Sequence, residues 1–233
     1  METSRVSDTI WMLRFPVGQA YAIRGSAGWA LVDTGSAGFA ADILEGLRTL
    51  GAHPGDLREI VLTHSHNDHT GSAAALAAAT GARVLAGAAD APVIRGGIPE
   101  TPPVLEDWER PLYDFVACSP ALPLAPPCPV DRELSDGDTL DWGEEVRIIH
   151  VPGHTAGSIA CHLPDSGVLF TGDTVANVGQ LMLGVFNVDR KQAEASFRKQ
   201  AALDVETACF GHGDPLIGGA GQALRKVAFS APA

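Results

Sequence analysis

Cysteine and tyrosine are both scarce in this 233-residue chain, with four and two residues respectively. The four cysteines (Cys118, Cys128, Cys161 and Cys209) form no C-x-x-C pair. The opening stretch, METSRVSDTIWMLRF, lacks a basic segment followed by an apolar run, so no secretory leader is read there. Reduced thiols in a cytoplasmic protein are then the simplest reading, with a Cys118–Cys128 bridge as the minority alternative. Positive charge is also short. Sixteen Lys and Arg face twenty-eight Asp and Glu, leaving a formal charge of −12. That balance repels phosphate backbones and anionic lipid, which argues against nucleic-acid and membrane-surface partners. No run approaches the roughly 20 apolar residues needed to cross a bilayer. The apolar stretch from Phe115 to Val130 contains Pro120, Pro123, Pro126, Pro127 and Pro129, so it is read as non-helical. Glycine and proline are abundant but show no G-x-y period, which excludes a collagen-like chain. At 45% hydrophobic and 19% charged, the sequence can bury a sizeable core.

Short apolar runs alternate with helical patterns. Strands are predicted at Ala20–Arg24, Trp29–Asp33, Glu59–Thr63, Arg83–Ala86, Val146–His150, Ile159–Leu163, Val168–Thr171 and Ala208–Phe210, each bounded by Gly, Pro or Asp. Helices are predicted at Phe39–Leu50, Gly71–Thr80, Arg190–Ala202 and Gly221–Phe229, with Asp189 as an N-cap. The mixture reads as α/β, or α+β in some schemes. Ten of the sixteen prolines lie between Pro92 and Pro129. This segment, about 92–130, is read as a surface excursion that can serve as a lid or wall for a substrate pocket.

The chemistry concentrates in Thr63-His64-Ser65-His66-Asn67-Asp68-His69-Thr70-Gly71, straight after a predicted strand. In an extended loop, alternate residues point the same way, so His64 and His66 can converge on one ion, with Asp68 and His69 following at the turn into a helix. Imidazole and carboxylate together suit Zn, Fe or Mn. Four further polar residues sit where an apolar strand meets a glycine-containing loop: Asp33 in VDTG, His154 in PGHTAGS, Asp173 in FTGDT and His212 in FGHGD. Loops mounted on a rigid sheet are the usual seat of function. His53, His150 and His162 are read as ordinary surface or core histidines. Asp68 and Asp173 in one enclosed cavity would repel each other unless a cation lay between them.

From Asp33 to His212, in order, these motifs make the chain resemble the metallo-β-lactamase-fold hydrolases. The resemblance implies one domain over residues 1–233, a four-layer αββα sandwich with a metal cavity at the edge between two sheets. It implies two zinc ions, with Fe or Mn as alternatives: His64, His66 and His154 on the first, Asp68, His69 and His212 on the second, and Asp173 bridging. Asp33 would steady the histidine loop. A homodimer is compatible with the fold family.

Two cations a few Å apart can lower the pKa of a shared water from about 15.7 to near 7, giving a hydroxide that attacks a carbonyl carbon. Asp68 is the candidate catalytic residue, orienting that nucleophile and moving its proton. No G-x-S-x-G and no Cys beside a spare His competes for the role. The resulting expectation is a dinuclear zinc hydrolase of a small ester, lactone or thioester. Alternatives within the fold are a mononuclear iron persulfide dioxygenase, an N-acyl-homoserine lactone lactonase and a β-lactam hydrolase. Several departures bear on them. Asp173 is not the Cys of the commonest zinc β-lactamases. No Tyr follows Asp173, where the lactonases carry one, leaving Tyr113 as the substitute. Asn177-Val178-Gly179-Gln180 replaces the Gly-Arg-Thr-Asp of the dioxygenases. His66 replaces the Glu of diiron flavoproteins, and ribonuclease-type members are longer. Twenty-one residues follow His212, against the long helical region with which glyoxalase II enzymes bind glutathione, and this points away from that substrate.

Overall fold

The computed structural model describes residues 1–53, 55–117, 119 and 122–230. The first sheet takes its seven strands in chain order: β1 (Glu2–Arg5), β2 (Ile10–Arg14), β3 (Gln19–Gly25), β4 (Gly28–Val32), β5 (Leu57–Leu62), β6 (Arg83–Gly87) and β7 (Arg132–Leu134). The first four pair antiparallel and the last three join in parallel. Parallel neighbours need crossovers. These are α1 (Ala40–Thr49) between β4 and β5, and α2 (Asn67–Thr70) with α3 (Ala73–Thr80) between β5 and β6. The helices α4 (Ala91–Ile94) and α5 (Arg110–Ala117) belong to the proline-rich excursion before β7.

The second sheet contains β8 (Thr139–Asp141), β9 (Glu145–His150), β10 (Ile159–Leu163) and β11 (Val168–Phe170). After a separate hairpin of β12 (Val175–Asn177) and β13 (Leu181–Leu183), the chain forms α6 (Arg190–Ala201), returns as β14 (Thr207–Cys209) and β15 (Leu216–Ile217), and ends in α7 (Ala220–Ala228). The strand order is β15-β14-β11-β10-β9-β8.

Side chains along a strand alternate between faces, and the central strands of both sheets are buried on both faces. In β5, Ile60 and Leu62 pack with Ile43, Leu47 and Leu76 of the crossover helices, while Val61 joins Val146, Ile148, Cys161 and Phe170 of the other sheet. In β11, Val168 and Phe170 face the inter-sheet core, whereas Leu169 packs against Phe197 and Leu224 of α6 and α7. Three cores therefore separate four layers, which is the expected αββα sandwich.

Differences from the predicted elements follow from chemistry the pattern does not register. Strand β1 (ETSR) is exposed at every residue and carries no apolar alternation; it is held by its ladder to β2. The helix expected at Gly71–Thr80 begins at Ala73, after a separate short helix at Asn67–Thr70 and a turn at Gly71-Ser72. The Phe115–Val130 stretch is not free of helix: Phe115, Val116 and Ala117 close α5, which ends before Pro120. Asp189 is the N-cap of α6, its Oδ1 accepting the Gln192 N–H at 3.0 Å. Cys118 lies outside the described residues, and with it the Cys118–Cys128 pairing. Among the described residues, no helix is long and apolar enough to cross a membrane.

Candidate metal centre

Every polar residue singled out in the strand-end loops comes to one edge of the sandwich. His64 follows β5, His154 follows β9, Asp173 lies in the short turn after β11, and His212 follows β14. His64 Nε2 lies 3.0 Å from His66 Nδ1, which in turn lies 2.9 Å from His154 Nε2. The three rings form a near-equilateral triangle, with centroids 4.6, 4.6 and 4.7 Å apart and planes crossing at 81° to 83°. Three ring nitrogens aimed at one point are a poor hydrogen-bonding arrangement and a good ligand set. Tetrahedral Zn–N bonds of about 2.0–2.1 Å would separate such nitrogens by about 3.3 Å.

A second group forms beside it. His212 Nε2 lies 3.1 Å from Asp68 Oδ2, and His69 Nε2 lies 3.6 Å from the same oxygen. Asp173 stands between the two groups. Its Oδ1 is 3.4 Å from His69 Nε2, and its Oδ2 is 3.1 Å from His212, 3.7 Å from His154 and 4.0 Å from His64. His69 Nε2 and Asp173 Oδ1 are buried without a hydrogen-bond partner, a costly state that a cation between them would relieve. The residues present therefore fit a metal pair. Asn67, Ser65 and Thr70 lie in the same loop but face elsewhere: Asn67 Oδ1, for example, accepts the Ala125 N–H at 2.8 Å.

The charges are distributed accordingly. Burial drives the His64 imidazole below its usual range and takes His154 down to about 3, so both are neutral and free to donate a lone pair. At Asp68 and Asp173 burial would raise the carboxyls, but His69 and His212 outweigh it and hold both well below the carboxylate range. Conversely, burial opposes charge on His69 and His212, while Asp173 and Asp68 raise both, His212 to about 10. Without metal, then, the second group is held together by protons on two histidines, and a cation must displace them. Calorimetric titration of zinc at pH 7, in buffers of different ionisation enthalpy, should show net proton release on loading. Because the raised histidines are protonated below their shifted values, affinity should fall as the pH is lowered; pH-independent affinity would contradict this charge assignment.

Two buried carboxylates set the spacing of the loops. Asp33 follows β4 with a positive φ of 61°, a conformation that Asp tolerates better than most residues. Its Oδ1 accepts the Thr63 N–H at 2.8 Å, and its Oδ2 contacts the Thr63 hydroxyl and His69 Nδ1, both at 2.8 Å. His69 is thereby locked with Nε2 toward the site, in the steadying role expected of Asp33. Asp90, which the motif reading missed, does the same across the sandwich. It accepts the Ser65 N–H at 2.9 Å, the Gly157 N–H at 2.7 Å and the Thr155 hydroxyl at 2.7 Å, tying the His64–His66 loop to the His154 loop. A Cβ on Gly157 would fall 2.6 Å from Asp90 Oδ1, so only glycine admits this contact. A signal was available, since Asp90 also follows a buried strand that ends in glycine, β6. Asp90→Ala would strand two buried N–H donors and should cost about 2–4 kcal/mol in urea unfolding of the metal-free chain. Unchanged stability would remove this role. A third clip comes from β3: Tyr21 hydroxyl and Gln19 Nε2 both bond Phe210 O, at 2.8 and 2.9 Å, and Gln19 also bonds Gly213 O, bracketing His212.

The remaining histidines are engaged elsewhere: His53 with Asp56, His150 with Ala156 O and His162 with Asp204 O. Cys161 and Cys209 are buried between the sheets, and burial pushes both thiols up, so neither is a nucleophile.

Known proteins agree with this architecture. The family model described as "Metallo-beta-lactamase superfamily" matches residues 13–212. A hydroxyacylglutathione hydrolase of Cereibacter sphaeroides is 37% identical over 193 residues, covering 81% of this chain and 58% of that protein. One of Acidiphilium cryptum is 32% identical over 182 residues, covering 77% and 60%. The chain thus spans less than two thirds of the length of these relatives. Among solved structures, a metallo-beta-lactamase family protein of Thermus thermophilus superposes with a TM-score of 0.70 at 25% identity, covering 95% of this chain and 79% of that one. A metallo-beta-lactamase HARLDQ-motif mutant of Cronobacter sakazakii gives 0.70 at 25%, covering 91% and 81%. With the family model spanning both halves of the sandwich and both halves of the histidine–aspartate cluster, the chain belongs to the metallo-beta-lactamase superfamily.

Proposed function

We propose that this chain is a metal-dependent hydrolase of a small thioester, ester or lactone, and that it binds two zinc ions. The observation that carries the proposal is the position of Asp173, one carboxylate reaching both three-residue groups. His64, His66 and His154 would hold one ion, Asp68, His69 and His212 the other, and Asp173 both. Imidazole and carboxylate favour zinc, with iron or manganese accepted by the same donors. When bound, such a pair supplies Lewis acidity and a water that ionises near neutral pH. The protein's own part is positional. Asp68 orients the attacking water and moves its proton, while Asp33, Asp90 and the Gln19–Tyr21 clip keep the four loops in register.

We further propose that residues 1–233 act as one domain with the 92–130 excursion as its lid. The excursion is tied to the site's rim at several points. Asn67 Oδ1 accepts from Ala125, Asn187 O accepts from the Val104 N–H at 2.9 Å, and the Tyr113 ring packs edge-on against Phe186 at 5.2 Å. It also carries exposed Ile98, Val104 and Trp108, suited to an apolar acyl or ring group. Tyr21 is committed to Phe210 in the core, which leaves Tyr113 as the one tyrosine for a lactonase-like role.

The names of the relatives make a hydroxyacylglutathione thioester the first substrate to test, despite the expectation drawn from the short segment after His212. The test is turnover by the zinc-loaded chain on that thioester, an aryl ester and a homoserine lactone. Hydrolysis of the thioester, abolished by a chelator, is the expected result. No turnover on any of the three would overturn the proposal.

A further inference from the structure

Each histidine that donates one ring nitrogen to a metal has a second nitrogen, and its partner decides which tautomer the ring adopts. Two of these partners come from the rigid sheet edge, and His154 Nδ1 is buried without one. His64 Nδ1 lies 3.0 Å from the Thr63 hydroxyl, and His69 Nδ1 is held by Asp33. His66 differs. Its Nδ1 faces His64 and His154, while its Nε2 points outward to Glu100 Oε1 at 3.0 Å. Glu100 lies in the proline-rich excursion between α4 and α5, and it is also within 3.5 Å of the Ser65 hydroxyl. Its side chain is 39% exposed, so solvent weakens a purely ionic attraction, but the directional bond to an imidazole N–H remains.

We propose that Glu100 is a positioning residue for the first metal ion: it accepts the His66 Nε2–H and so fixes the tautomer that leaves the Nδ1 lone pair pointing at the ion. The proposal rests on the reading of His64, His66 and His154 as one metal-binding group. No other described contact of the excursion reaches a ring of that group. Asn67 receives the excursion by its amide, and Glu109, just before α5, accepts the Phe186 N–H at 3.2 Å.

The experiment titrates zinc against a chromophoric chelator in the wild-type chain and in Glu100→Ala, Glu100→Gln and Glu109→Ala. Losing the partner of a ligating histidine typically weakens metal binding 10–100-fold. Glu100→Ala should therefore weaken one zinc equivalent by about that factor and leave the other unchanged. Glu100→Gln keeps an oxygen acceptor and should recover most of the loss. Glu109→Ala loosens the excursion without touching His66 and should retain both affinities. Nitrogen NMR of the zinc-loaded chain gives an independent reading, a single Nε2–H tautomer of His66 in the wild type. Unchanged zinc affinities in Glu100→Ala, an equal loss in Glu109→Ala, or a Gln variant no better than Ala would overturn the assignment. A wild-type chain that takes up no zinc would overturn the underlying metal reading instead, and the role of Glu100 with it.

Discussion

Asp68→Ala should abolish turnover, by about 10²–10⁴-fold in kcat if its only loss is proton transfer, while the secondary structure stays intact. Asp68 is buried, and its Oδ2 reaches both His212 Nε2 at 3.1 Å and His69 Nε2 at 3.6 Å. In the metal-free chain the neighbouring His69 and His212 hold its carboxyl below the usual carboxylate range against the opposing effect of burial. Its side chain belongs to none of the three hydrophobic cores. The check is steady-state kinetics beside far-UV circular dichroism and metal content. Substantial activity in the alanine variant would sink the proposed role, whatever the metal content.

The second large effect comes from a residue with no side chain. A Cβ at Gly211 would lie 1.9 Å from Asp173 Oδ1 and 2.7 Å from His69 Cε1. Neither neighbour can yield cheaply, because His69 is pinned by Asp33 and Asp173 shares the cavity with four histidines. Gly211→Ala should therefore turn the Asp173 carboxylate out of its central position. The expected result is loss of metal binding by 100-fold or more and of nearly all turnover, with an overpacking cost of about 1–3 kcal/mol in stability. A folded Gly211→Ala chain with wild-type metal affinity would show that Asp173 does not need the place the structure gives it.

The two residues illustrate what could be read from sequence. Asp68 was legible because it stands among three histidines, and His154, Asp173 and His212 because each ends a buried strand beside a glycine. The burial of β11 and of the Ile60–Leu62 end of β5 was equally plain, since strands covered on both faces are continuous apolar runs. Other features depend on distant partners. Asp90 serves Ser65 and Thr155, which lie 25 and 65 positions away, and its only local mark is the strand end at Gly87 three residues before it. Glu100 was hidden within a proline-rich stretch whose docking is decided by contacts to Ser65, His66 and the loop at Asn187. Helix α5 was obscured for a similar reason: prolines within it and on both sides of it conceal about two amphipathic turns. Strand β1 has no apolar residue to announce it, and exists because β2 offers it an edge.

The central claim is that Asp173 joins two metal-binding groups in one site. The most direct test is elemental analysis of the chain purified without added metal, followed by chelation and zinc reconstitution. The account predicts two zinc ions per chain, with thioester or ester turnover lost on chelation and restored by zinc. A single iron per chain, with thioester, ester and lactone all left intact and oxygen consumed in the presence of a persulfide, would contradict it.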